Sequence, residues 1–184
     1  MVIYIHGFGS SGQGMKAKLF REYFKSKDVA FIAPSLSYIP DLAIATLEEL
    51  INSYEGDITL IGSSLGGFYS LYLAQKYDLK AVLINPSTKP FVTLAKCTGY
   101  APSFHDTSNF LWMDEHIESL KKYSVDFTNQ NNLMLLVQKG DETIPYSEAV
   151  KKLPKAMQIV EDGGNHSFED IEKHFEKIKV FFQK

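Results

Sequence analysis

A chain of 184 residues with 45% hydrophobic and 22% charged side chains has the composition of one globular domain. At that length roughly 70% of the unfolded surface can be buried, enough for one sizeable core. The net charge of -3 offers no basic surface for nucleic acid or acidic lipid. Cys97 is the single cysteine, which excludes an intramolecular disulfide and points to a reducing, cytoplasmic setting. Its bland reading is a small packing residue, and a cysteine nucleophile is the rival.

The apolar run Val2 to Ile5 opens the chain. It is too short for a signal peptide or membrane anchor and lacks a basic flank, so it reads as a strand. Leu19, Phe20, Tyr23 and Phe24 then form a helical stripe, and Ala30 to Ala33 a second strand. Ala43, Leu47, Leu50 and Tyr54 mark another helix, with Asp41 after Pro40 as its expected N-cap. Ile58 to Ile61 is a third strand, followed at once by a helix over Leu65 to Tyr77 that is apolar almost all round. Ala81 to Ile84 is the fourth strand.

The rhythm then breaks. Between Pro86 and Asn129 lies a segment rich in aromatics (Phe91, Tyr100, Phe104, Phe110, Trp112, Tyr123, Phe127), with one helix expected over Met113 to Lys122. A long excursion of this kind inside a compact domain reads as a lid or binding loop, an insert of about 87–129. Leu133 to Val137 is a fifth strand, and Met157 to Val160 a weaker sixth. Phe168, Ile171, Phe175, Ile178 and Phe182 recur at steps of three and four, which predicts a final helix. Unbroken apolar strands alternating with helices predict an α/β fold: a mostly parallel sheet of about six strands, helices on both faces, and a single domain over 1–184.

Open parallel sheets place their active groups at the carboxyl ends of strands. Those ends read His6-Gly7-Phe8-Gly9, Gly62-Ser63-Ser64-Leu65-Gly66, Gly140-Asp141 and Gly163-Gly164-Asn165-His166. A serine, an acid and a histidine therefore follow in the order nucleophile, acid, base, each beside glycine. Gly62 and Gly66 flank Ser64 where side chains would collide in a sharp strand-to-helix turn. A serine hydroxyl needs a neighbouring base, and His166 is the expected one; Asp141 would fix its tautomer. The backbone amides of Phe8 and Leu65 are the expected oxyanion donors. Phe8, Phe91 and Trp112 are the expected substrate contacts, although the aromatic insert reads equally well as a packed satellite of the core.

The stretches YIHGFGSS, LIGSSLGG, QKGDETIPY and GGNHSF resemble the α/β-hydrolase superfamily across nearly the whole chain. The short length, with the HGF strand opening it, resembles the small bacterial YqiA-type esterases in particular. The resemblance implies a reduced α/β-hydrolase fold and an esterase acting on acyl esters or thioesters without a cofactor. It places the nucleophile on Ser64, the acid on Asp141, the base on His166 and the oxyanion turn on His6 to Gly9. Against the wider superfamily, the two strands that usually precede the HG strand are missing. That implies a shorter sheet with a newly exposed edge, which a second copy in a homodimer could cover.

Competing assignments are weaker. His6 reads as structural, His116 and His174 as helical side chains, and His105 as a loop histidine. Glu142 adjoins Asp141 but leaves the strand in another direction, and Asp162 lies too close to the histidine turn. No H-E-x-x-H, cysteine pair or calcium loop suggests a metal, and GSSGQG lacks the ending of a phosphate loop. Two rivals stand beside the ester reading: a thioesterase or other hydrolase using the same three groups, and a hydrolase-like binding scaffold.

Overall fold

The computed structural model describes residues 1–183. In chain order the elements are β1 (Val2–Ile5), α1 (Met15–Ser26), β2 (Phe31–Ile32), α2 (Pro40–Ser53), β3 (Thr59–Ser63), α3 (Leu65–Tyr77), β4 (Lys80–Ile84), α4 (Pro90–Thr93), β5 (Gly99–Pro102), β6 (Asn109–Trp112), α5 (Asp114–Lys121), β7 (Leu133–Gln138), α6 (Tyr146–Lys152), β8 (Met157–Glu161) and α7 (Phe175–Gln183). Six strands form one sheet in the order β2-β1-β3-β4-β7-β8, and each pairing in it is parallel. β5 and β6 form a separate antiparallel hairpin.

The unbroken apolar strands serve two cores at once. Ile3, Ile5, Leu60, Leu83, Leu133 and Leu135 face one layer, packed with Leu47 of α2, Leu71 and Leu73 of α3 and Leu120 of α5. Their alternates Val2, Tyr4, Ile61, Val82, Met134 and Leu136 face the other, against Phe20 and Phe24 of α1 and Ile178 and Phe181 of α7. Successive strand side chains point to opposite faces, so a strand covered on both sides can spare no position for a polar group. Among the described residues no helix is long and apolar enough to cross a membrane.

Several boundaries differ from the sequence reading. Asp41 is not the N-cap of α2. Ile39 lies outside the helix and Pro40 fills its first position, which leaves Asp41 in the first turn. Its carboxylate accepts bonds from Ser119 Oγ (2.7 Å), Lys122 Nζ (2.9 Å) and Tyr123 Oη (2.5 Å) at the far end of α5. The final helix also begins later. Phe168 and Asp170 take positive φ of 62° and 53°, and a 3-10 turn over Ile171–His174 precedes α7. The backbone of Glu169 is claimed there by the Gln138 side chain, whose Oε1 accepts its N–H at 2.9 Å and whose Nε2 donates to its carbonyl at 2.9 Å.

The insert after β4 divides. Ala101, Trp112, Ile117, Leu120 and Phe127 are buried in the main core, as a packed satellite would be. Tyr100 and Phe104, in the hairpin, are 82% and 75% exposed.

Candidate active site

Ser64 stands between β3 and α3 with φ 55° and ψ -118°, a conformation few non-glycine residues adopt. Its neighbours over-determine it. The Ser64 N–H donates to the Ile84 carbonyl (3.0 Å), while its carbonyl accepts from Gly67 and Ser87 (both 3.0 Å). A Cβ on Gly62 would run into Ser70 Oγ and the Gly66 carbonyl, and one on Gly66 into the Ile5 carbonyl. The small residues around Ser64 are thus required by close approach of β1, β3 and α3.

Asp141 follows β7 and His166 follows β8. His166 Nε2 lies 3.0 Å from Ser64 Oγ, and its Nδ1 lies 2.8 Å from Asp141 Oδ2. The other carboxylate oxygen of Asp141 accepts the N–H groups of Thr143 (2.9 Å) and Ile144 (2.8 Å), so the carboxylate is fully engaged. Its side chain is 1% exposed. Burial acts to raise its pKa; the bonds from His166, Ile144 and Thr143 outweigh that and hold it below the usual carboxylate range.

The two loops are fixed by groups that no motif marks. Gln138, buried at the end of β7, accepts the N–H of Asn165 (3.2 Å) and donates to Glu161 Oε2 (3.0 Å). Asn85, buried at the end of β4, donates to the carbonyls of Asn165 (2.9 Å) and His166 (3.3 Å) and accepts from the Gln138 N–H (3.0 Å). Glu142 Oε2 accepts the His166 N–H at 3.0 Å. Gly164, at φ 72°, leaves no space for a Cβ beside Gln138. Lys16 on α1 donates to the Ser167 carbonyl (2.6 Å). Burial lowers its pKa to about 8, with Asp141 pulling the other way. A polar residue closing an otherwise apolar strand run is the one signal that could have singled out Gln138.

Phe8 lies in the turn after β1. No acceptor for its N–H or that of Leu65 is present among the described residues, and Leu65 is the first residue of α3, where helix amides are free. The Phe8 ring packs edge-on against Phe110 (5.3 Å) and Trp112 (4.9 Å). Trp112 is fully buried and donates to the Leu94 carbonyl at 3.1 Å. The expected substrate contact at Trp112 is therefore corrected: the indole supports Phe8 from behind, because its polar edge is satisfied inside the core.

A cavity of 180 Å³ opens at Ser64, walled by Phe8, Leu65, Pro90, Leu94 and Ile144, with Phe91 outside it. A larger one of 430 Å³ lies across Phe8 and Leu65, against Leu36, Tyr38 and Phe110; Ser64 does not line it. Of the other histidines, His6 bonds the Gly7 carbonyl and the Leu36 N–H, His116 receives the Met113 N–H, and His174 pairs with Glu161. Asp162 pairs with Lys139 at 2.6 Å.

The model of an uncharacterised protein family, UPF0227, matches residues 1–183. The chain belongs to this family. A UPF0227 protein of Pectobacterium atrosepticum is 26% identical over 188 residues, covering 98% of each chain. Among solved structures, alpha/beta hydrolase domain-containing protein 10 from mouse superposes with a TM-score of 0.79 at 17% identity, over 99% of this chain and 89% of its own. LipS and LipT, metagenome-derived lipolytic enzymes described as widening the known lipase and esterase families, give 0.69 at 14%, over 99% of this chain and 92% of theirs. This UPF0227 member therefore has an α/β-hydrolase fold, with six parallel strands in its main sheet.

Proposed function

We propose that this UPF0227 protein is a serine hydrolase that cleaves acyl esters through an acyl-serine intermediate. One observation carries the reading: the His166 ring bridges Ser64 Oγ at 3.0 Å and Asp141 at 2.8 Å. With Asp141 holding hydrogen on Nδ1, Nε2 is left as the acceptor facing the hydroxyl.

Ser64 Oγ attacks the ester carbonyl carbon while its proton passes to Nε2. The carbonyl oxygen, now carrying the charge, takes the free N–H groups of Phe8 and Leu65, worth about 2.7–4 kcal/mol each to the transition state. Collapse breaks the bond to the alcohol oxygen, which leaves with the proton from His166. Water, deprotonated by the same nitrogen, then releases the acid and restores Ser64. All of the groups belong to the chain, so the reaction calls on no cofactor.

The test is covalent labelling by a serine-directed fluorophosphonate. Wild type should label stoichiometrically at Ser64 and Ser64→Ala should not. Stoichiometric labelling of that variant would place the nucleophile elsewhere.

A further inference from the structure

Lys16 ties α1 to the turn that carries His166, and the tie is made by a reactive group. Its Nζ donates to the carbonyl of Ser167, the residue after the proposed base, at 2.6 Å. The side chain starts from the first turn of α1, where no acidic residue offsets the helix dipole against a cation. Burial brings its pKa down to about 8, although the Asp141 carboxylate pulls it up. Near that pH about half of the amine is neutral and nucleophilic, against under about 1% of an ordinary lysine. Space for a reagent is present too. A cavity of 450 Å³ is lined by Lys16, Ser10, Ser11, Ser167 and Phe168, and neither Ser64 nor His166 borders it. Asp170 and Glu172 also line it, which favours a neutral reagent over an anion.

We propose that Lys16 is a modification site: a neutral acyl thioester acylates its Nζ, and the acylated protein loses its hydrolase activity. The amine attacks the thioester carbonyl carbon and the carbon–sulfur bond breaks. The thiolate leaves with the electron pair and takes the proton that nitrogen gives up, and an amide remains. That amide keeps one neutral N–H where the ammonium had three, and it has to seat its acyl group in the cavity. The positive charge that Asp141 attracts is gone as well. Ser167 and its neighbour His166 then lose the bond that fixes them from α1. Misplacing a reacting group by an ångström costs about 10²-fold in rate. The loss of activity rests on the serine-hydrolase reading; the preference for Lys16 does not.

The experiment treats wild-type protein with S-acetyl-N-acetylcysteamine near pH 8. Peptide masses and p-nitrophenyl acetate hydrolysis are then read on the same samples. Lys16 should be acetylated about tenfold faster, or more, than the exposed Lys18 on the same helix. In step with it kcat should fall by about tenfold or more, with KM nearly unchanged. Lys16→Arg keeps a cation but offers no such amine, so whatever rate it has should survive the treatment; if it has none, the wild-type masses and kcat decide alone. Equal acetylation of Lys16 and Lys18, or full acetylation of Lys16 with kcat retained, overturns the proposal while fluorophosphonate labelling at Ser64 persists. Inactivation of Lys16→Arg by the same treatment overturns it too, because the inhibiting event then lies elsewhere. Absence of fluorophosphonate labelling in untreated wild type overturns the function and its control together.

Discussion

Ser64 is held in a backbone conformation that costs about 1–3 kcal/mol, and the cost is met by the strands and helix pressed around it. That pressure makes the flanking glycines as specific as the serine. Gly66→Ala would drive a methyl group into the Ile5 carbonyl, so β1 and α3 must move apart. A loss of more than about 2 kcal/mol is expected, read from urea midpoints. Asp141 works through charge as well as position. Asp141→Asn should leave the fold intact and reduce kcat by about 10⁴-fold, because the wrong tautomer of His166 then faces Ser64. The Asp141 pKa is depressed in the folded protein, so its contribution to stability is complete above the unfolded carboxylate value and disappears as pH falls through the lower folded value. The stability gap between wild type and Asp141→Asn should therefore narrow on acidification, measured as urea midpoints between pH 6 and pH 3.

At the scale of elements, two polar clusters add ties between helices and loops to the apolar packing. Asp41 joins the start of α2 to α5, and its pKa is pulled down to about 2 by the bonds from Tyr123, Ser119 and Lys122. Its folded pKa is depressed, so the tie is fully made above about pH 4 and is lost as pH falls toward 2. Asp41→Asn should lower the thermal midpoint more at pH 7 than at pH 2.5, where part of the contribution has been lost; an equal effect at both would show that the carboxylate charge is idle. The second cluster joins β4, β7 and the loop after β8. Asn85→Ala leaves the Gln138 N–H and two loop carbonyls without partners, a cost of about 1–3 kcal/mol. Asn85 positions His166 without touching it through a ring atom. The variant should therefore lose kcat with KM nearly unchanged, and a KM effect alone would deny the positioning role.

The whole molecule gathers groups 102 positions apart in the chain, Ser64 and His166, at one rim of the sheet. It does so because parallel strands all end on the same side, so the turns after β1, β3, β7 and β8 converge. The insert after β4 folds back on the first of those turns: Phe104 N–H donates to the Gly9 carbonyl at 2.7 Å, and Trp112 and Phe110 grip the Phe8 ring. Removing the hairpin tip should loosen the proposed oxyanion donor and leave the six-stranded sheet intact. The edge expected to be exposed is β2, only two residues long. A second copy added there would gain few ladder bonds, so a homodimer would need the helical faces as well.

Much of this was legible locally. Strand runs of four and five apolar residues, the small residues about Ser64 and the glycines before Asp141 and His166 are consequences of backbone crowding, which leaves its mark at fixed spacing. The start of the last helix, the partners of Asp41, and the parts played by Asn85, Gln138 and Lys16 leave no such mark. Each depends on which side chains from distant segments arrive together.

The amino-acid order therefore determined a doubly covered parallel sheet and a serine presented on a sharp turn, because both follow from neighbours in the chain. Only the tertiary structure decided that Trp112 braces Phe8 from inside the core, that Gln138 claims the backbone of Glu169, and that one small cavity opens at Ser64. These depend on the directions in which loops from four strands leave the sheet, and direction is a property of the packed molecule.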